Sequence, residues 1–353
     1  ALLCNCRSVL AMAEWAACLD PALRAALGLP ADRSPHQSTL HRLFRQLDPD
    51  LLSQALSDYF SPAPAPPRRR GTQAIAVDGK AHRGQLQFAP TRTGTIHEIS
   101  AFCHDTGVVL AQLAVDSQAR EAELSAAPTL LSRLNWQGRI LTGDALYCQP
   151  PLCAQVLAGQ GDYVLVVKGN QPELLADVDL LFADPALHSA AAAHSSDFDY
   201  RTSRTLDKGH GRIEERCAIA STALADYSNW PGLAQVVQIT RTWQQQGTTR
   251  QARHYVVTSL PPAEASVGQL LALHRGHWRI ENSLHYVKDV TLGEDRSLIH
   301  VGAGGAVLAA LRSTVVSLLH RAGHTRIAAA LRANSQRPAQ ALRLMGRLVS
   351  SDA

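Results

Sequence analysis

Ala74-Ile-Ala-Val-Asp-Gly-Lys80 reads as a short buried strand that stops on a carboxylate: four apolar residues, then Asp78 and the turn-forming Gly79. Alone, an aspartate in that position is a strand-ending turn residue. Arg139-Ile-Leu-Thr-Gly-Asp-Ala145 repeats the device with Asp144. Two aspartates closing two apolar strands are harder to assign to turns alone.

Around these two stretches lie further β-like runs at 95–102, 108–115 and 163–167, with 74–77 and 140–142 supplying the strands that carry the aspartates. His104-Asp105-Thr106-Gly107 makes a tight turn between two of them. Helical segments follow the third, fourth and fifth runs. Three strands joined by turns, then alternating helices and strands, predict an α/β fold: an RNase H-like mixed sheet flanked by helices.

Before this core, residues 8–59 repeat apolar residues at helical spacing, broken by Pro30 and Pro35. They predict a small helical N-terminal domain, 1–60. Its segment 38–45 could be a DNA-facing helix, although a solvated helix face is the more common explanation. Residues 61–71 form a Pro/Arg linker, since repeated prolines fix φ and remove donors; Arg68, Arg69 and Arg70 read as phosphate contacts or as a solvated basic run. A catalytic domain follows at 72–353. It carries a β-rich insertion at about 197–260, read from runs at 213–220, 236–243 and 253–259.

Ser266 is an N-cap signal for a long helix reaching about residue 287. With Glu281 at zero and about 100° per residue, His274 falls near +20°, His277 near −40°, His285 near +40° and Lys288 near −20°. One stripe therefore holds a carboxylate among cationic or cationisable groups. Leu273, Ile280, Leu284 and Val287 form the adjoining apolar face. Three converging carboxylates suit Mg²⁺ or Mn²⁺, and two such ions would serve phosphodiester displacement. His277 and Lys288 are the candidates for holding phosphate. A zinc site from His274, His277 and Glu281 is a rival reading, without the usual His-Glu-x-x-His spacing.

Composition sets looser bounds. Of 353 residues, 46% are apolar and 18% charged, as in an ordinary globular protein. No apolar run is long enough for a membrane helix. A net charge of +4 permits a nucleic-acid partner without requiring one. Seven cysteines without zinc-ribbon spacing point to reduced thiols. Walker A, Gly-x-Ser-x-Gly and Gly-x-Gly-x-x-Gly patterns do not occur, which argues against NTPase, hydrolase and dinucleotide readings.

Taken together, Ile75-Ala-Val-Asp-Gly-Lys80 with Arg83-Gly84, Thr142-Gly-Asp-Ala-Leu-Tyr-Cys-Gln149, Tyr163-Val-Leu-Val-Val-Lys-Gly-Asn-Gln171, Lys208-Gly-His-Gly-Arg-Ile-Glu-Glu-Arg216, Arg275-Gly-His-Trp-Arg-Ile-Glu-Asn-Ser-Leu-His285 and Glu294-Asp295 form an ordered set. In these motifs the chain resembles the DDE transposases of bacterial insertion sequences, of the ISAs-one type that includes H-repeat-associated proteins. The resemblance implies a metal-binding catalytic triad at Asp78, Asp144 and Glu281, and DNA contacts at His277, Lys288, Arg275 and Lys168. It implies cleavage of double-stranded DNA at the element's terminal repeats and transfer of the freed 3′ hydroxyl to target DNA. A homodimer on DNA and a cytoplasmic, nucleoid-associated location are the corresponding expectations, with no membrane partner. Members carry further sequence before the region matching Ser8 onward, so a shortened N-terminal domain is expected. The alternatives are a decayed transposase that binds DNA without cutting, and an RNase H-like nuclease without strand transfer.

Overall fold

The computed structural model describes residues 1–60, 73–81, 96–116, 120–183, 199–209, 212–225, 229–245, 247–299 and 302–346. The expected linker 61–71, with Arg68 to Arg70, lies outside the described residues, as do Arg83, Gly84 and His210. In chain order the elements are α1 (Val9–Ala17), α2 (Pro21–Ala26), α3 (Gln37–Gln46), α4 (Pro49–Phe60), β1 (Gln73–Ala81), β2 (Ile96–Cys103) and β3 (Val109–Asp116). There follow α5 (Arg120–Ser132), β4 (Arg139–Gly143), α6 (Pro150–Ala158), β5 (Asp162–Val167) and α7 (Pro172–Leu181). The rest are β6 (Arg201–Gly209), β7 (Arg212–Ser221), β8 (Gln235–Gln245), β9 (Thr248–Thr258), α8 (Val267–His277), α9 (Gly304–Arg321), α10 (Ile327–Gln336) and α11 (Pro338–Leu344).

The chain divides into two compact units, one of Ala1–Ala63, Gly79–Ala126 and Arg279–Ala353, the other of Pro64–Asp78 and Ala127–Trp278. It passes between them inside β1, inside α5 and after Trp278. Within the first unit the N-terminal helices pack with β3 and the C-terminal helices.

In the first unit, Ser8 and Asp20 cap α1 and α2, their side-chain oxygens accepting from the backbone N–H of Ala11 and Leu23. β2 and β3 pair antiparallel, Ile99 opposite Leu113, across a turn in which Gly107 takes φ +68°. α4 and α9 cover β3. The Ser53 hydroxyl donates to the Gln112 carbonyl at 2.5 Å, and the Val109 N–H donates to Ser317 Oγ at 3.0 Å.

The second unit is a large mixed sheet flanked by helices. Its strand order is β1-β4-β5-β9-β8-β7-β6, parallel from β1 to β5 and antiparallel from β5 onward. β5 is buried along its whole length, as its apolar run predicts. Leu270 and Leu271 of α8 close one face over Val164, Val166, Val237 and Val256. The Ser266–Gln269 capping box starts this helix where expected.

The runs at 213–220, 236–243 and 253–259 are β7, β8 and β9, whereas β6 carries no apolar alternation and is an addition to the sequence reading. Its inward positions are Arg201, Ser203, Thr205 and Asp207, partly buried between exposed neighbours. As an edge strand it needs only one partner, β7, and polar inward residues suffice.

The helix expected from Ser266 to about 287 also differs. α8 ends at His277, and the chain then winds through two π-helical turns, Glu281–His285 and Val287–Thr291. The Tyr286 N–H donates to the Glu281 carbonyl and the Leu292 N–H to that of Val287, both five residues back.

Candidate active site

Within the second unit, Val77 of β1 and Gly143 of β4 are register partners in a parallel pair. Asp78 and Asp144 are the residues immediately after them, on neighbouring strands about 4.8 Å apart; Asp144 lies just past β4, whereas Asp78 is still inside β1, which continues to Ala81 instead of ending on the carboxylate as expected. Outside the carboxyl ends of parallel strands is where an open α/β sheet offers polar groups to a ligand. Asp78 is partly buried and Asp144 exposed. Asp144 also caps the turn Ala145–Tyr147, its Oδ1 accepting from the Leu146 N–H at 2.9 Å.

Side chains with no role assigned from the sequence hold that turn. Asn170 Nδ2 donates to the Ala145 carbonyl at 2.6 Å, and Gln171 Nε2 to the Cys148 carbonyl and Gln149 Oε1, each at 3.0 Å. The motif containing Asn170 and Gln171 was the available signal; its contact with a segment over twenty residues earlier was not. Burial pushes the Cys148 thiol up, with the nearby Cys153 and Asp144 adding to the shift, so it is inert at neutral pH.

His277, at the end of α8, sets Nδ1 3.4 Å from the hydroxyl of Thr142, two residues before Asp144. Lys168, just past β5, is exposed. Arg275 Nη2 lies 3.0 Å from Asp207 Oδ2, with its side chain 40% exposed. His274 stacks near His254, ring centroids 5.9 Å apart. Burial, then His254, His277 and Arg216, push its pKa down to about 3, so it is neutral at physiological pH.

In the first unit, Glu281 opens the π-helical stretch with its side chain 52% exposed. The buried imidazole of His285 sits one turn on, Nδ1 2.9 Å from Glu281 Oε2. Lys288 departs from the expected phosphate-facing stripe: it is fully buried, and Nζ donates to both oxygens of Glu98 at 2.6 and 2.7 Å. The cause is the winding. Turns closed by bonds to the fifth residue rotate less per residue than the about 100° of an α-helix, which carries Lys288 off the Glu281 face.

Lys80, two residues beyond Asp78, is buried as well. Its Nζ lies 2.7 Å from Asp289 Oδ1 and 2.9 Å from Glu294 Oε2. Burial alone would depress this ammonium; Glu294 and Asp289 outweigh it and hold the pKa above the usual lysine value.

Comparison with known proteins bears on these groups. Residues 69–312 match the family described as "Transposase DDE domain". YncI of Escherichia coli O157:H7 is 30% identical over 256 residues, covering 70% of this chain and 62% of that protein. The H repeat-associated YhhI of Escherichia coli K12 is 30% identical over 254 residues, covering 69% and 63%. Both names assign those proteins provisionally to the transposases. An uncharacterised protein from the dhlA 3′ region of Xanthobacter autotrophicus is 30% identical over 260 residues, covering 70% and 80%. The matched region thus spans less than two thirds of YncI and YhhI. No helix among the described residues is long and apolar enough to cross a membrane. With a family match across more than half its length, the chain belongs to the DDE transposases, of the H-repeat kind.

Proposed function

We propose that the chain cuts double-stranded DNA at the ends of an insertion sequence and joins the freed 3′ hydroxyls to target DNA, with Asp78, Asp144 and Glu281 as metal-holding catalytic carboxylates. The observation that supports the reading is the register of β1 and β4, in which Asp78 and Asp144 directly follow the paired residues Val77 and Gly143 of adjacent parallel strands. Carboxylate oxygens are the donors that Mg²⁺ and Mn²⁺ take, so the residue types fit. Two bound ions would lower the pKa of an attacking water and offset charge on the leaving oxygen.

The chain's own groups do the rest. Lys168 and Arg275, both exposed, are cations for the phosphate backbone, and His277 is set beside β4 by Thr142 to contact it. The helical region 1–60 supplies further DNA contacts through α3, which carries His41, Arg42 and Arg45 exposed and no acidic residue. Residues 61–71 act as the linker. The RNase H-like core occupies 72–353, with 197–260 as its β-rich insertion. Two copies bring two DNA ends together, and the protein works in the bacterial cytoplasm beside the nucleoid.

The test is metal-dependent nicking and joining of labelled duplexes carrying the gene's flanking ends. Cutting and joining in Mg²⁺ or Mn²⁺, lost in Asp78→Asn, Asp144→Asn and Glu281→Gln, is the expected result. Cutting by those variants at the parental rate would reject the triad. Binding without cutting would identify a DNA-binding relic, and cutting without joining a nuclease.

A further inference from the structure

Six charged side chains, drawn from stretches far apart in sequence, meet inside the first unit. Lys80 comes from β1, Glu98 from β2, Lys288 and Asp289 from the second π turn, Glu294 from the short helix after it and Arg312 from α9. Side-chain exposure is 6% for Lys80, 1% for Glu98, 0% for Lys288, and 1% for both Glu294 and Arg312. Glu294 is the hub. Its Oε2 meets Lys80 at 2.9 Å, and its Oε1 meets Lys288 at 3.5 Å and Arg312 at 3.6 Å. Ser100 Oγ donates to Glu98 Oε1 at 2.9 Å, fixing the last carboxylate of the chain of contacts.

The charges nearly balance, three cations against Glu98, Asp289 and Glu294, with Asp295 Oδ1 more distant from Lys80 at 3.8 Å. A network so deeply buried is strongly directional, because any member that rotates away leaves its partner charged and unsolvated. Its ends are also placed with purpose. Lys80 lies two residues after Asp78 on the same strand, hence on the same face, and Lys288 lies seven after Glu281. Glu281 opens the first π turn and Lys288 lies in the second, a rare geometry that recurs at functional sites. Buried Lys288 ties that second turn to Glu98.

We infer that the buried Lys80–Glu294–Lys288–Glu98 chain positions the proposed metal-holding carboxylates Asp78 and Glu281, and that Lys288 serves this role instead of contacting DNA. Lys288 Nζ donates to both oxygens of Glu98, lies 3.5 Å from Glu294 Oε1 and belongs to a fully buried side chain, so it is not presented to a phosphate. This inference rests on the metal-site reading proposed above.

The experiment uses the full chain and reads two quantities other than activity. Equilibrium Mn²⁺ binding is followed by the paramagnetic resonance signal of the free ion, and duplex affinity is measured without divalent metal across a salt series. The variants are Lys288→Met, Glu98→Gln and the paired Glu98→Leu/Lys288→Met, which leaves no lone buried charge and so guards against loss of the fold. Each single variant should weaken Mn²⁺ binding about tenfold or more, as disruption of groups orienting metal ligands does. The paired variant should also bind Mn²⁺ more weakly than the parent, by no more than the worse single one, because the two residues act as a unit. The salt slope of duplex binding should match the parent in all three.

Parental Mn²⁺ affinity in the folded paired variant would overturn the inference. So would a salt slope reduced by about one in Lys288→Met, the signature of a lost phosphate contact. A parent chain that binds no Mn²⁺ would reject the metal-site reading itself, and this inference with it. That outcome is distinct from a parent that binds Mn²⁺ and variants that bind it equally well.

Discussion

His274 and His254 lie with ring centroids 5.9 Å apart and planes tilted by 43°, and both have depressed pKa values. Burial is the first cause in each; Lys168 and Arg241 add to it at His254, and His254, His277 and Arg216 at His274. Both bind a proton less readily when folded than when unfolded, where protons are taken up below about pH 6.5. Their contribution to stability is therefore complete above that pH and is lost as pH falls toward about 3, the folded value of His274. Denaturant unfolding at pH 7.5 and pH 5 should show lower stability at pH 5. His274→Gln should flatten the slope by up to about 1.4 kcal/mol per pH unit. An unchanged slope would contradict the assignment.

Asp144 has two roles that substitution can separate. Its carboxylate caps the Ala145–Tyr147 turn, and asparagine caps as well as aspartate. Asp144→Asn should keep the parental melting temperature while abolishing metal-dependent cutting. Asp144→Ala should lose both the activity and about 1 kcal/mol of stability.

Arg24 is buried in the N-terminal helices, with Nη2 donating to the carbonyls of Pro30 at 2.7 Å and Arg33 at 2.6 Å. Nη1 reaches Ser34 Oγ at 2.7 Å and the Ala16 carbonyl at 3.3 Å. Arg24→Met strands those acceptors and should cost about 2–3 kcal/mol. Lysine lacks the planar fork, so Arg24→Lys should recover less than half of the loss. Thermal unfolding, with hydrogen exchange at residues 29–36, checks both.

Gly161 and Gly169 flank β5 and should respond oppositely to alanine. A Cβ at Gly161 would lie 3.0 Å from the Trp136 carbonyl oxygen and 2.9 Å from Trp136 Cβ, whereas nothing lies within 4 Å of one at Gly169. Gly161→Ala should destabilise by about 1–3 kcal/mol, since a backbone oxygen cannot yield. Gly169→Ala should be neutral or slightly stabilising. Equal melting temperatures for the two variants would refute the packing argument.

Much of the fold was legible because it is written in local apolar pattern. β1, β4 and β5 are built on short apolar runs, and the sequence alone locates Asp144 just past β4, whereas Asp78, read as closing its strand, lies inside β1, which continues through Gly79 and Lys80 to Ala81. β6 was not legible, because Arg201, Ser203, Thr205 and Asp207 satisfy an edge position without an apolar residue among them. The spacing of Glu281 to His285 survives as a contact, while Lys288 was misplaced by the same arithmetic once the winding changed. Nothing local announces that change, and the partner that draws Lys288 inward, Glu98, is 190 residues away. The Thr142–His277 contact was hidden for the same reason, spanning 135 residues.

The division of the chain into interleaved pieces has a consequence for its birth on the ribosome. β3 emerges early, yet the Val109 N–H finds its acceptor only in Ser317, 208 residues later. At bacterial rates of about 5–20 residues per second, this strand waits roughly 10–40 s for α9 to emerge. During that interval α4 can already dock through Ser53, leaving the α9-facing part of β3 as nascent apolar surface. Synthesis order thus makes the first unit, which begins first, the last to close.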